Sequence, residues 1–463
     1  MSRQESTSKL RQFRQRVYRN FNNRADTLMD LLDALCSNTN AQSVVELSLN
    51  PAFRRSYTAL YKAIDETAFE EQQLAHLVEA HLPEPKRFPF HLLSVDVTSC
   101  PRLFTRTMAG RSFVYQPNPV KGNKPVTIGH QFSTVALLPE KESTLNPWVV
   151  PLATRRVAVL NDKELVGAAQ MDRLLADSRL PFEGQLCVEV ADTSYSKPAY
   201  LAANRGHRAL VTITRVRGNR SFYRRARQTT EKAKRGHPTW YGDRFSLKDP
   251  STWHPPDEEV TTTRISRRGR RYRVEIQAWH DMLMRGKLKP KAIPMHRYPF
   301  TLVQVCWYDE LGRMVHRRPL WLIVVGERRH ELALKDIYEA YQHRSHMEHF
   351  FRFGKQKLLL TRFQTPDVCR EETWWQLVHL AYAQLWVARP LVHDLPRPWE
   401  RYLQSRQTRS ITPTIAQRDF GRIIRQLGTP ARPPKQRGYS PGRPKGMRFR
   451  PRQRYSVFKV GST

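Results

Sequence analysis

A mixed α/β sheet with a helical N-terminal region, a β-rich insertion and a basic C-terminal tail is the fold that this 463-residue sequence predicts. Three observations lead there. Apolar residues recur at three- and four-residue spacing as far as residue 82, alternation and short apolar runs take over from residue 90, and two strongly periodic helices return after residue 334.

Residues 8 to 82 read as helices, with Leu28, Leu31, Leu32 and Leu35 on one face. Ser43 and Glu46 have capping-box spacing for a short helix, and an "LNP" turn leads into "AFRRSYTALYKAI". Three prolines in "LPEPKRFPF" close this region, taken as 1–88. "FHLLSVDVTS", "SFVYQP" and "TIGHQFSTVALLP" then read as three strands before a helix over 163–178, with "QLCVEVAD" and "ALVTITRVR" as two more. Together they make the first part of a catalytic-type α/β domain, 89–217. Short alternating segments such as "VTTTRISRRGRRYRVEIQAW" and "FTLVQVCWYD" mark 218–327 as a β-rich insertion. Helices over about 334–356 and 371–388 complete the α/β domain (328–395), and 396–463 is a basic, proline-rich tail.

Charge narrows the function classes. With 78 Lys and Arg against 42 Asp and Glu, the formal charge is 78 − 42 = +36, which points to a polyanionic partner whose phosphates those cations neutralise. A helix-turn-helix-like reading of the N-terminal region would set Arg54, Arg55, Tyr57 and Lys62 on or near a DNA-facing helix; an ordinary small helical domain with a basic surface fits the same pattern. The five cysteines form no CxxC pair, so neither a zinc site nor a disulfide framework is expected and a reducing cytoplasm fits. No signal-peptide core opens the chain and "LWLIVV" is too short to cross a bilayer, so no membrane partner is expected.

Three acids sit where an acid is locally odd. Asp96 ends the apolar run "LLSVD" and Asp192 ends "CVEVAD"; a carboxylate at a buried strand end is costly unless it is paired or binds a cation. Such an aspartate alone is as readily a turn or cap residue. The third is Glu348, in "YQHRSHMEHFFRFGKQ". On one continuous helix, Tyr341, Arg344, Glu348 and Lys355 would share one face, with Phe350, Phe351 and Phe353 anchoring the other. Arg344 and Glu348 could equally be a solvated i,i+4 pair. Two aspartates with a glutamate can hold two divalent cations about 3.5 to 4 Å apart for in-line attack on a phosphodiester, and magnesium suits so sparse a carboxylate set. The tyrosine, arginine and lysine beside them would meet phosphates.

The spacing Y(2)R(3)E(6)K, met without a gap by Tyr341, Arg344, Glu348 and Lys355, resembles the signature of the DDE transposases of the IS4-like superfamily, in the branch typified by the IS701 family. "SVDVTS", "VADTSYSKPAY" and "ALVTITRVRGNRSFYRR" add to the resemblance. It implies an RNase H-like catalytic domain with a β-rich insertion, Asp96, Asp192 and Glu348 as catalytic and metal-binding residues, and Mg2+, with Mn2+ able to substitute. It also implies Tyr341, Arg344 and Lys355 on DNA backbone, double-stranded DNA of transposon ends and target as partner, a homodimer in the synaptic complex, and a bacterial cytoplasm near the nucleoid. Some relatives stack a tryptophan of the insertion on a flipped base, a role that would fall to Trp321.

The remaining basic stretches acquire roles by the same route. Between Arg205 and Arg235 stand eleven Lys or Arg and one acid, and Arg215, Arg217, Arg220, Arg224 and Arg225 are expected to track a phosphate backbone. In the tail, Gly442, Arg443 and Pro444 form a core like that of an AT-hook, expected in a narrow minor groove. His343, His346 and His349 read as surface or DNA-proximal groups. The expected function is end binding, cleavage and joining of 3′-hydroxyls to target DNA. The rivals are a transposase-derived repressor or architectural protein and a metal-dependent nuclease of RNase H-like fold.

Overall fold

The computed structural model describes residues 2–116, 124–140, 147–159, 162–226, 240–266, 268–286, 293–400, 410–435, 442, 444–448 and 450–458. The N-terminal helices are α1 (Arg3–Asn20), α2 (Ala25–Cys36), α3 (Tyr57–Asp65) and α4 (Gln73–Val78). Ser2 caps α1 by accepting the Glu5 N–H at 3.1 Å. Ser43 Oγ donates to Glu46 at 2.6 Å just ahead of a 3-10 turn, Val45–Leu49, so the capping pattern is used on a shorter element than expected.

The sheet begins with β1 (His91–Pro101), β2 (Ser112–Tyr115), β3 (Val126–Leu137) and β4 (Val150–Val157). β4 escapes the sequence reading because Pro151 interrupts its pattern, and its ladder to β3 shifts register beside that residue. Next come α5 (Lys163–Leu175), β5 (Cys187–Ala191), α6 (Pro198–Asn204) and β6 (Leu210–Arg215). The insertion contributes β7 (Ser221–Arg225), β8 (Tyr241–Ser246), β9 (Glu258–Ile265), β10 (Arg271–Met282), β11 (Phe300–Tyr308) and β12 (Leu320–Val325). Four helices follow: α7 (Leu334–His343), α8 (Ser345–Lys357), α9 (Val368–Ala388) and α10 (Pro413–Leu427).

Among the described residues, nine strands run side by side in the order β2-β3-β1-β5-β6-β12-β11-β10-β9, with β4 added on β3, while β7 and β8 form a separate ribbon. β1, β5 and β6 are mutually parallel and the other pairs antiparallel. The insertion is therefore less an appendage than a continuation: β12 pairs with β6 and carries the sheet on to β9.

Helix α9 is the spine of the helical side. Trp374 and Trp375 are fully buried, and the Trp375 ring stacks on Phe132 of β3 with centroids 3.8 Å apart. The N-terminal helices lie against this spine and share its core rather than forming a body of their own. Cys36 Sγ donates to the Ala381 carbonyl at 3.2 Å, and the buried Arg14–Asp33 ion pair is bonded by Gln384 of α9. Nor is 396–463 a plain tail. α10 buries Phe420 and Ile423, and beyond it the Phe458 N–H donates to the Arg111 carbonyl at 3.0 Å beside β2.

Arg54 and Arg55 depart from the expectation of a DNA-facing pair. Both bind the carboxylate of Asp30, whose side chain is 1% exposed, and both donate to the carbonyl of Arg432. Their guanidinium groups hold α2, the start of α3 and the chain after α10 together. No described helix is long and apolar enough to cross a membrane.

Candidate functional site

The ladder between β1 and β5 positions the two aspartates. It pairs His91 with Cys187 and Ser94 with Val190, an offset of 96 residues that, carried two residues past the last pair, sets Asp96 level with Asp192 just beyond the end of β5. On parallel neighbours about 4.8 Å apart, level residues point to the same face. Asp96 lies within β1 rather than at its end, opposite Thr134 of β3. Each aspartate takes its hydrogen bonds on Oδ1: Asp96 from the Val97 N–H at 2.8 Å, and Asp192 from the Ser194 N–H and hydroxyl at 2.7 and 2.6 Å. These short local bonds fix each carboxyl and leave the second oxygen of each for another partner.

Helix α8 crosses the same ground. Lys355 Nζ donates to Thr98 Oγ1 of β1 at 2.6 Å, which sets the helix against the strand that carries Asp96. Phe350 packs edge-on against Tyr382 and His379 of α9, so the phenylalanine anchor read from the sequence holds. Burial pushes the Asp96 carboxyl up to about 6; Asp192 and Glu348 push the same way, and Arg344 pulls against them. Burial likewise raises Tyr341, whose charged neighbours are Arg344, Arg215, Asp192 and Glu348, and lowers Lys355 against the pull of Cys100 and Asp96. Asp96, Asp192, Glu348, Tyr341, Arg344 and Lys355 are thus brought into one electrostatic neighbourhood.

Glu348 is 57% exposed and paired with Arg344 at 2.9 Å. Among the described residues no three His, Cys, Asp or Glu side chains are close enough together to hold a metal ion. An exposed i,i+4 pair is worth only about 0.3–0.5 kcal/mol, so little holds Glu348 in that rotamer. The donor set itself fits a hard divalent cation. It offers carboxylate oxygens only, with mutual repulsion at Asp96 that a cation would relieve.

A cleft of about 770 Å³ opens beside these residues. Asp192, Tyr341, Arg344 and Glu348 line it together with Arg215, Arg264, Trp307 and Arg318. Arg264, on β9, lies over the Trp307 ring at 5.0 Å and bonds Tyr338 and Gln342 of α7. Arg264, Trp307 and Arg318 were not singled out from the sequence, because strand alternation gives a residue's face and not the cleft it meets. A second cleft of about 710 Å³ shares Arg215 and Arg318 with the first and adds Arg217 and Lys248.

Other expected DNA contacts are placed elsewhere. Trp321 lines the second cleft but is 3% exposed, packed among Phe245, Trp253 and Trp279, so a base could not stack on it as the ring stands. Arg224 is engaged by Asp257 at 3.0 Å and by the His280 carbonyl, and Arg220 donates to the Ser196 carbonyl at 2.9 Å. Arg225 is exposed on β7, and Arg443 lies outside the described residues. The histidines of the signature helix are not surface groups as expected: His343 and His346 are buried against each other, His343 Nδ1 meets the Glu339 carbonyl at 2.8 Å, and His349 is half-buried. The single helix assumed for that stretch is two, meeting at Arg344.

No curated protein matches the chain. A family model described as DDE superfamily endonuclease matches residues 16–286, a stretch that holds Asp96 and Asp192 and ends before Glu348. Since that match runs over more than half of the sequence and over the paired aspartates, the chain belongs to the DDE superfamily endonucleases.

Proposed function

We propose that this endonuclease is a DNA transposase of the IS4-like kind, which binds the terminal inverted repeats of its element, cleaves at the ends and joins the 3′-hydroxyls to target DNA. The observation that supports the reading is the closeness of Asp96, within β1, to Asp192, just past the end of the neighbouring parallel β5, with the helix of Glu348 tied to β1 through Lys355. Asp96, Asp192 and Glu348 would hold the divalent cations. When bound, such ions activate a water or a 3′-hydroxyl and stabilise the leaving oxygen.

The chain's own groups do the rest. Arg215 and Arg318 line the cleft where backbone phosphates would lie, and Lys355 and Tyr341 stand near the aspartates. Both steps are phosphoryl transfers, so positioning and charge suffice and no covalent protein intermediate is required. Trp307, which lines the cleft, would be the ring to meet a base in place of the buried Trp321. Synapsis of two ends calls for a homodimer on DNA, and the site of action is the cytoplasm at the nucleoid.

Asp96→Ala, Asp192→Ala and Glu348→Ala are each expected to reduce Mg2+-dependent cleavage and strand transfer to background while end binding stays within a few-fold. Cleavage at the wild-type rate by any of the three would defeat the assignment. Nicked product with no joined product would favour the nuclease rival, and binding without any cut would favour the repressor.

A further inference from the structure

Beyond Glu348 the exposed positions of α8 continue through Arg352 and Gln356 to Lys357. They lead into two adjoining depressions. The first, of about 210 Å³, is lined by His349, Arg352, Gln356 and Lys357. The second, of about 500 Å³, shares Lys357 with it and is lined further by Arg397, Trp399 and Arg418. Lys357 marks the junction because its carbonyl accepts from the Asn38 and Gln417 side chains at 3.3 and 3.0 Å, which pins it between the N-terminal helices and α10.

Trp399 is 69% exposed, and the guanidinium of Arg397 lies over its ring at 5.4 Å. An exposed tryptophan with an arginine on its face and further cations beside it is the arrangement on which an unpaired base stacks while its phosphates are held. A paired base inside a duplex cannot present its face in this way. The acids nearby are occupied: Asp419 accepts from the His393 N–H at 2.7 Å and from Arg422, and Asp394 pairs with Arg418 at 2.7 Å. From Glu348 to Lys357 is nine residues of helix, about 13 Å.

We propose that this groove is a binding site for single-stranded DNA, taking an unpaired strand that leaves the carboxylates along α8, with Trp399 as the base platform and Arg352, Lys357 and Arg397 on its phosphates. The proposal rests on the DNA-cleaving reading of the same helix. It adds a second strand path, over the C-terminal half of α8.

The test uses full-length protein in EDTA, so that no cutting occurs, with two probes: a duplex of mixed sequence bearing a thymidine overhang, and the same duplex blunt-ended. Wild-type protein is expected to prefer the overhang probe. Trp399→Ala should weaken that probe by about tenfold or more and the blunt probe by no more than about twofold. Trp399→Phe should keep most of the preference, and Lys357→Gln should lower the salt dependence on the overhang probe only. The exposure of Trp399 means that Trp399→Ala should melt like wild type, which separates lost binding from lost folding. Equal wild-type affinity for the two probes, or an overhang preference intact in Trp399→Ala, overturns the groove alone. Wild-type binding of neither probe overturns the DNA-cleaving reading along with it.

Discussion

Asp30 changes how two arginines are understood. The sequence shows Arg54 and Arg55 as adjacent cations ahead of a helix, a pattern that fits a DNA-reading surface. Their partner lies 24 and 25 residues earlier, on another helix and 1% exposed, so neither charge is spare. Removing one member of a buried, hydrogen-bonded ion cluster typically costs about 3–5 kcal/mol. Asp30→Ala is therefore expected to lower the urea midpoint severely. Arg55→Ala should lower it less and leave DNA affinity at fixed salt within a few-fold; a large loss of affinity at unchanged stability would return Arg55 to the DNA surface. The same logic separates the tryptophans. Trp321→Ala should act on stability, by about 3–5 kcal/mol, and Trp307→Ala on cleavage with little change in melting.

At the scale of elements, the sequence was most legible where one element carries its own information. The strands of Asp96 and Asp192, the anchoring phenylalanines and the fixed spacing from Tyr341 to Lys355 were all readable, because period and offset are local. The break at Arg344, strand β4 and the pairing of β12 with β6 were not. Periodicity reports which face is buried and says nothing of which strand lies alongside. A glycine shows how closely these elements meet. A Cβ on Gly167 of α5 would sit 2.8 Å from Val95 Cγ2 and 3.4 Å from the Tyr195 ring, and Val95 adjoins Asp96. Gly167→Ala is expected to cost about 1–3 kcal/mol by forcing α5 off β1. It should also slow cleavage, since Asp96 moves with the strand. Thermal melts and single-turnover rates measure the two effects, and an unchanged rate in a destabilised protein would separate α5 from the site.

For the whole molecule, two buried groups set opposing pH slopes on stability. Burial holds the Glu189 carboxyl at about 7, above its ordinary 4.5, despite the donors Tyr200, Thr212 and Asn204. The folded state keeps that proton longer than the unfolded chain, so its contribution is whole below pH 4.5 and is lost as pH rises towards 7, on the order of 3 kcal/mol. His379, buried in α9, is pushed down to about 4 from 6.5. Its contribution is whole above pH 6.5 and is lost as pH falls towards 4. Glu189→Gln should remove the fall between pH 4.5 and 7 and leave the His379 rise between pH 4 and 6.5 unopposed; a profile unchanged over that range would exclude Glu189 as a cause. The formal charge of +36 makes a separate prediction, a steep fall of DNA affinity with salt, which a titration of binding against salt concentration would measure.

The join between β6 and β12 bears on how the chain is made. Strand β6 ends at Arg215 and its partner does not begin until Leu320, so the sheet cannot be completed until a long stretch of later sequence has been synthesised. The aspartates pair early, through β1 and β5, whereas Glu348 leaves the ribosome last of the three. A nascent chain carries the acidic pair before it can cut anything. A message interrupted between residues 327 and 348 would yield a protein with the basic surface and both aspartates but no glutamate. Such a product would also lack α9, the core on which the N-terminal helices pack, so it is expected to be unstable rather than active.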